Sequence, residues 1–396
     1  MRMKVIANIG YGLRGIVQAS IVENGIVVRE LPPVRNLILN QGLDAIASYT
    51  FSTLMEYAVA GTGTTATEVS SGADTITIAA GTATLSNTGY LTGDANDIGR
   101  SFKLTTSGNV YKITNYVNTT QCVVSPGSTE GPDNFTLYQT NQTGLTTEVK
   151  RTNTWLTGAP NCQTITVTNL TTLTRTYDFS AESGSVTYNE VGFARTGTAG
   201  ANLFSRIKLP SGVPLTAGQQ LRLKYSLQIG VAPTSPLTYG SSPIVGWASG
   251  TGTLQCHQIP IGYINTNGNG NLSGNNSIDS KYYEVYGEPS YLGGYPAIWI
   301  STSSAAHTSY GASSSPAGTT SALAFSLSTY TNGTYTRDKS CTFAVGQANR
   351  SDWRSFFLGQ TNANSLAYKF LFDSVQEKLS TYTLTLGFRL SWNRQL

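Results

Sequence analysis

The sequence predicts an all-β chain: an antiparallel β-sandwich or jelly roll with one short helix and an inserted small β module. Three observations carry that prediction. In residues 220–229, Leu221, Leu223, Tyr225, Leu227 and Ile229 share one face, and Gln220, Arg222, Lys224, Ser226 and Gln228 share the other. A period of two is that of a half-buried strand. The C-terminus repeats the pattern, with Tyr382, Leu384, Leu386, Phe388, Leu390 and Trp392 set against Thr383, Thr385, Gly387, Arg389, Ser391 and Asn393. Finally, only 12 % of the 396 residues are charged, roughly half the usual share of about 25 %. Thr, Ser and Asn take the place of charge, and these suit strands and turns rather than helices with exposed charged faces.

Taken in order, residues 4–9 and 16–28 read as strands. The second is turned at Glu23-Asn24-Gly25, because Asn-Gly accepts the positive φ of a tight hairpin. Pro32-Pro33 ends sheet pairing. Residues 36–56 hold the helix: Leu43, Ile46, Ala47 and Leu54 lie near one face, Asn40 is placed as N-cap and Asp44 faces the helix dipole. Gly61-Thr62-Gly63-Thr64-Thr65 lacks the Lys of a phosphate-binding loop and the third Gly of a dinucleotide fingerprint, so it reads as a tight turn.

Residues 67–140 form a separate all-β unit. Ile76/Ile78, Phe102/Leu104, Val110/Lys112 and Cys122/Val124 mark short strands, punctuated by Gly89, Gly93, Gly99, Gly108 and Pro126-Gly127. Within it, residues 94–99 (DANDIG) resemble a calcium loop but lack the later bidentate Glu, so a turn is expected. Beyond the unit, Ile165/Val167 and Leu173/Arg175/Tyr177/Phe179 continue the strand pattern. Val186 and Tyr188 alternate until the phase slips at Val191-Gly192-Phe193, which predicts a β-bulge. Leu209-Pro210-Ser211-Gly212 and Thr216-Ala217-Gly218 are turn chemistry. Residues 265–271 and 301–320 are polar tracts, and between them lies an aromatic segment with Tyr282, Tyr283, Tyr286, Tyr291, Tyr295 and Trp299. The final strand is expected to close the main sheet. The resulting division is a main sandwich from 1–66, 141–229 and 341–396, an insert at 67–140, and a loop-rich β region at 230–340, projecting or at an interface.

Charge and composition narrow the function. Twenty-five basic residues against 21 acidic ones, with no basic run, leave no footprint for nucleic acid. No run of about 18 apolar residues would cross a membrane as a helix, and the N-terminal residues lack the apolar stretch of a secretory signal. The cysteines, Cys122, Cys162, Cys256 and Cys341, are isolated and read as reduced, mostly buried thiols. Cys256-His257 falls short of the three or four ligands of a zinc site, and His307 stands alone. No metal and no cofactor are expected. Asp279, Glu284 and Glu288 are the carboxylates nearest the aromatic segment, yet nothing pairs them across a cleft as glycoside hydrolysis requires. No enzyme and no catalytic residue are predicted.

Several short segments carry a resemblance. Residues 36–44 (NLILNQGLD), followed by 59–65 (VAGTGTT), are similar to the opening of many tail, tail-fibre and neck-associated structural proteins of tailed bacteriophages. Residues 189–193 (NEVGF), 202–206 (NLFSR) and the strand from 215 to 227 resemble later strands of the same group. Residues 144–151 (GLTTEVKR) resemble the segment that those proteins place soon after the "GTG" turn. Here the gap is far longer than usual, which supports residues 67–140 as an insertion. The resemblance covers about the first 230 residues, discontinuously, and implies a virion structural protein without catalytic residues. Its expected partners are other virion proteins and copies of itself, as a trimer or larger ring, in a particle assembled in the host cytoplasm. The alternative is a host-receptor or glycan-binding tail protein. Tyr282, Tyr283, Tyr286, Tyr291, Tyr295 and Trp299 are then the candidate contacts to a host surface glycan or a partner, because aromatic rings stack on sugars and anchor interfaces.

Overall fold

The computed structural model describes residues 2–48, 51–156, 163–167, 170–200, 202–232, 237–239, 250–256, 296–304, 320–324, 326–360 and 366–396. The fold is an all-β sandwich, 60 % strand against 4 % helix. Its strands assemble into sheets of thirteen, eight and six strands.

The thirteen-stranded sheet is organised on one long strand, Arg2–Glu23. One edge takes the strand Gln219–Ala232, antiparallel from Gly10 to Glu23. The other edge takes the closing strand Thr383–Arg394, parallel from Arg2 to Leu13. The sequence suggests a break between residues 9 and 16, where Gly10, Gly12 and Gly15 fall. Instead the strand runs through them, and Gly12 and Gly15 let neighbours approach it: a Cβ on Gly15 would lie 2.7 Å from the Tyr225 hydroxyl. The Asn24-Gly25 turn forms as expected, both residues at positive φ, and it returns the chain as the edge strand Ile26–Glu30.

The short strand Val34–Ile38 turns this sheet into a sandwich. Its first residues pair with the long strand, Asn36 opposite Gly15, and its last pair with Leu203–Leu215, Ile38 opposite Ser205. Two limbs of one sheet therefore face each other. Phe193 from one limb stacks on Tyr225 from the other at 3.9 Å between ring centroids, and Tyr177 joins them at 5.5 Å. The alternation of Gln219–Ala232 is realised here: Leu221, Leu223, Tyr225 and Leu227 are fully buried.

The helix differs from the expectation. Helices cover Asn40–Ala45 and Phe51–Leu54 only. Side chains from far along the chain bind two carbonyls of this stretch: Trp392 Nε1–H donates to Leu43 O at 2.7 Å, which also accepts Ile46 N–H, and Arg337 Nη1 donates to Ala47 O at 2.7 Å. Leu43, Ile46, Ala47 and Leu54 are nevertheless all buried. Asn40 is not the N-cap; that position is Leu39, with no side-chain cap. Asn40 Nδ2 instead donates to Gly99 O of the insert at 2.6 Å, and Arg394 donates to its Oδ1. Asp44 accepts from the Tyr330 hydroxyl and from Gly333 N–H, both at 2.6 Å.

Other local expectations shift as well. The irregular register in Val186–Ala194 falls at Tyr188/Glu190 and at Phe193/Ala194, the second directly at the end of the expected slip. The strand is also buried on both faces from Glu190 to Ala194, which removes the alternation there. Residues 209–212 do not form a turn between strands. They lie inside Leu203–Leu215 as an excursion opposite Asn189, between the pairs Glu190–Lys208 and Tyr188–Val213.

The eight-stranded sheet is built from residues 68–138. Ile76, Ile78, Phe102, Leu104, Tyr111, Ile113, Cys122, Val124, Phe135 and Leu137 form its own core. In one strand the expected face is reversed: Val110 is exposed, while Tyr111 and Ile113 are buried. The DANDIG loop is a turn in which Asp94 caps Ala95–Asp97. Buried Asp97 accepts from Thr92 N–H, Gly93 N–H and Arg100.

The six-stranded sheet draws Arg350–Gln360 and Leu366–Lys378 together with Leu237–Tyr239, Gly250–Cys256, Pro296–Ser301 and Thr320–Ala324. Residues 350–378 therefore pair with strands of 230–340 and not with the thirteen-stranded sheet, which corrects the division drawn from sequence. The two sheets share a core: Phe356 packs on Phe370 and Phe372 of its own sheet and on Phe388 of the closing strand.

Candidate functional site

Among the described residues, the densest polar arrangement is buried, and it forms around Glu190 and Arg206. Two antiparallel strands bring these residues side by side, Gly192 being the register partner of Arg206 and Lys208 that of Glu190. Arg206 Nη2 lies 2.7 Å from Glu190 Oε2, and both side chains are 0 % exposed. The guanidinium also donates to Thr65 O at 3.0 Å and Thr146 Oγ1 at 2.9 Å, and to Gln142 Oε1. The carboxylate accepts Thr147 N–H at 2.7 Å and Thr146 N–H at 3.1 Å. A buried pair survives desolvation only with its remaining donors and acceptors filled, and these contacts fill them.

The partners have a pattern. Thr65 stands just before the insert, and Gln142, Thr146 and Thr147 stand just after it. The ion pair thus clamps both ends of the insert's stem to the main sheet. Residues 61–65 do not form the expected tight turn, because Gly61 ends the strand Tyr57–Gly61, and their glycines serve the same centre: a Cβ on Gly63 would lie 2.2 Å from Glu190 Oε1, and one on Gly61 would lie 2.9 Å away. Those glycines admit the protein's own carboxylate. Asn189 Nδ2 donates to Thr62 O at 3.0 Å. Gln41 Nε2 donates to Thr143 O and Leu203 O, both at 2.8 Å. Asn36 Nδ2 donates to Ser205 Oγ at 3.0 Å. Arg151 pairs with Glu148 at 2.9 Å, and Glu148 also accepts Gly200 N–H. Sequence reasoning missed Glu190 and Arg206 as partners. Nothing local marks either residue, since each strand also carries other polar side chains, Asn189 in one and Ser205 and Lys208 in the other.

Of the residues predicted as a glycan or partner contact, Tyr282, Tyr283, Tyr286, Tyr291 and Tyr295 lie outside the described residues, as do Asp279, Glu284, Glu288, His257, His307 and Cys162. Trp299 is described. It sits in Pro296–Ser301, half-buried, its ring 6.0 Å from that of Phe357 and nearly parallel to it. One face of the indole is therefore committed to the sheet. Cys122 and Cys341 are free and buried, and burial pushes both thiols up to about 12. Among the described residues no group of three or more His, Cys, Asp or Glu is placed to hold a metal, and no helix is long and apolar enough to cross a membrane.

Compared with family profiles, with curated proteins and with solved structures, the chain has no match.

Proposed function

We propose that this chain is a structural component of a tailed-phage virion, tail or neck associated as a fibre, collar or baseplate subunit. It acts by symmetric self-assembly and by contact with other virion proteins. One observation carries the reading. The separate segments that bear the resemblance, at 36–44, 59–65, 144–151, 189–193 and 202–206, all meet around the Glu190–Arg206 pair. Residue patterns that recur in such proteins for a structural reason are expected to converge in this way. A second feature favours assembly. The edge strand Ile26–Glu30 pairs with the long strand alone, and Ile26, Val27 and Val28 are 69, 44 and 53 % exposed. An apolar edge of this kind is a liability in a lone subunit and is suited to being covered in an assembly.

The test is the mass of the purified protein by light scattering across a concentration series. A discrete trimer or larger ring is expected. A monomer at every concentration, with no change on introducing Val27→Lys, removes the self-assembly part of the proposal.

A further inference from the structure

The strands Val34–Ile38 and Leu203–Leu215 pair at two positions, Ile38 with Ser205 and Leu37 with Arg206. Beyond them the strands part. Asn36, Arg35 and Val34 follow the long strand, opposite Gly15, Ile16 and Val17. Ile207 and Lys208 stay with Val186–Ala194, opposite Val191 and Glu190. A cavity of about 590 Å³ occupies the fork. Residues 34–38 and 207–210 form its arms, and Ala66, Thr67, Glu68, Tyr138 and residues 394–396 close it. The size falls within the range of about 300–1,000 Å³ typical of ligand sites.

The backbone at the fork offers one residue on each arm, Arg35 and Lys208, since the next positions by twos are Pro33 and Pro210, which carry no N–H. Leu39 N–H donates to Phe204 O at 3.0 Å. Counting by twos along an antiparallel ladder from that bond, the backbone groups of Arg35 and Lys208 face the gap. They would be the next pair after Leu37–Arg206, and no pairing joins them. Backbone groups facing a cavity at the divided edge of a sheet are what an added strand pairs with. Arg35 and Lys208 line the fork with Glu68, and Arg394 at its base is engaged by Asn40. Neither Arg35 nor Lys208 has an ion-pair partner among the described residues.

We propose that this fork binds an extended peptide segment of a partner protein, its backbone pairing with Arg35 and Lys208 and its carboxylate side chain held between their cationic groups. This site stands independently of the virion reading, since it rests on the fork and its charges alone. An acidic sugar would satisfy the cations but would leave the ladder positions unused, so the geometry favours peptide.

Panning a bead-bound library of random peptides against the full chain tests it. Enriched peptides are expected to carry Asp or Glu between β-branched residues. Fluorescence anisotropy of a labelled enriched peptide should show binding weakened about tenfold or more by Arg35→Glu and by Lys208→Glu. Arg29→Glu, on the distant hairpin, should leave it unchanged. Ala66→Trp fills the cavity without altering charge and should also abolish binding, which guards against a charge-reversal variant that fails to fold. Three results overturn the proposal: no enrichment over bare beads, peptides that bind all these variants as tightly as the parent, or sialyllactose displacing the peptide at its own binding concentration.

Discussion

Arg206 Nη2 and Glu190 Oε2 lie 2.7 Å apart with neither side chain exposed, and the backbone on either side of the insert closes around them. Glu190→Gln leaves a guanidinium buried without its counter-charge. Such a loss typically costs about 3–5 kcal/mol. The double variant Glu190→Gln/Arg206→Met removes the stranded charge and is expected to be less destabilised than Glu190→Gln alone. Urea unfolding of both variants checks this, and equal or greater loss in the double variant contradicts it.

The glycines around this centre should separate by what surrounds them. A Cβ on Gly42 would lie 2.2 Å from Phe204 O, a backbone atom, and one on Gly63 would lie 2.2 Å from Glu190 Oε1, while one on Gly184 would meet nothing. Overpacking costs about 1–3 kcal/mol. Gly42→Ala and Gly63→Ala should lower the melting temperature clearly, and Gly184→Ala should not.

Cys122 and Cys341 should resist alkylation in the folded chain. With burial holding both thiols up to about 12, only about one in ten thousand is thiolate at pH 8, and thiolate is the reactive form. Iodoacetamide labelling followed by peptide mapping should find both unmodified until the protein is unfolded. Rapid labelling of either in the native state would refute this.

Asp338 and Arg389 face each other across two strands and join through both carboxylate oxygens, at 2.7 and 2.8 Å. The Arg389 hydrogen bonds hold the Asp338 carboxyl below its usual range, against the opposing effect of burial. A depressed folded value stabilises the protein above the unfolded value of about 3.9, and that contribution disappears as pH falls through the lower folded value. Asp338→Asn should therefore melt below the parent at pH 7, with the gap closing in acid. Arg389 is half exposed, so the gap is at most about 1 kcal/mol. A gap that persists at pH 2 would show that charge is not its source.

Trp299 should behave as a packing residue. With its ring laid along Phe357, Trp299→Ala removes a half-buried contact and is expected to cost about 2 kcal/mol, below the 3–5 typical of a fully buried site. Trp299→Phe should restore most of it. Thermal unfolding measures both. An alanine variant as stable as the parent would return this ring to a surface role in binding a glycan or partner.

Part of the fold is legible in the residues alone. Alternation places the strands Gln219–Ala232 and Thr383–Arg394 because one face of each is buried and a period of two records that directly. The Asn24-Gly25 turn is legible because positive φ is a property of the residues themselves. Strands buried on both faces are harder to place. From Glu190 to Ala194 no alternation survives, so two-sided burial and the irregular register at Phe193/Ala194 cannot be told apart in the residues. The helix is overextended in the sequence reading because Leu43, Ile46, Ala47 and Leu54 keep an apolar spacing and are all buried without a continuous helix. The Glu190–Arg206 centre is illegible because nothing local marks either residue as the other's partner.

The sequence by itself determined the class of the fold, its strand-bearing segments and its locally coded turns, since side-chain period and backbone preference act over a few neighbouring residues. The tertiary structure alone decided which strands pair. It set the first strand parallel to the last, folded one sheet over at Val34–Ile38, and brought Glu190 to Arg206 with Thr65 and Thr146 around them. Those contacts join residues with no local relationship. Their energy comes from excluding water around groups that meet only when the whole sheet has closed.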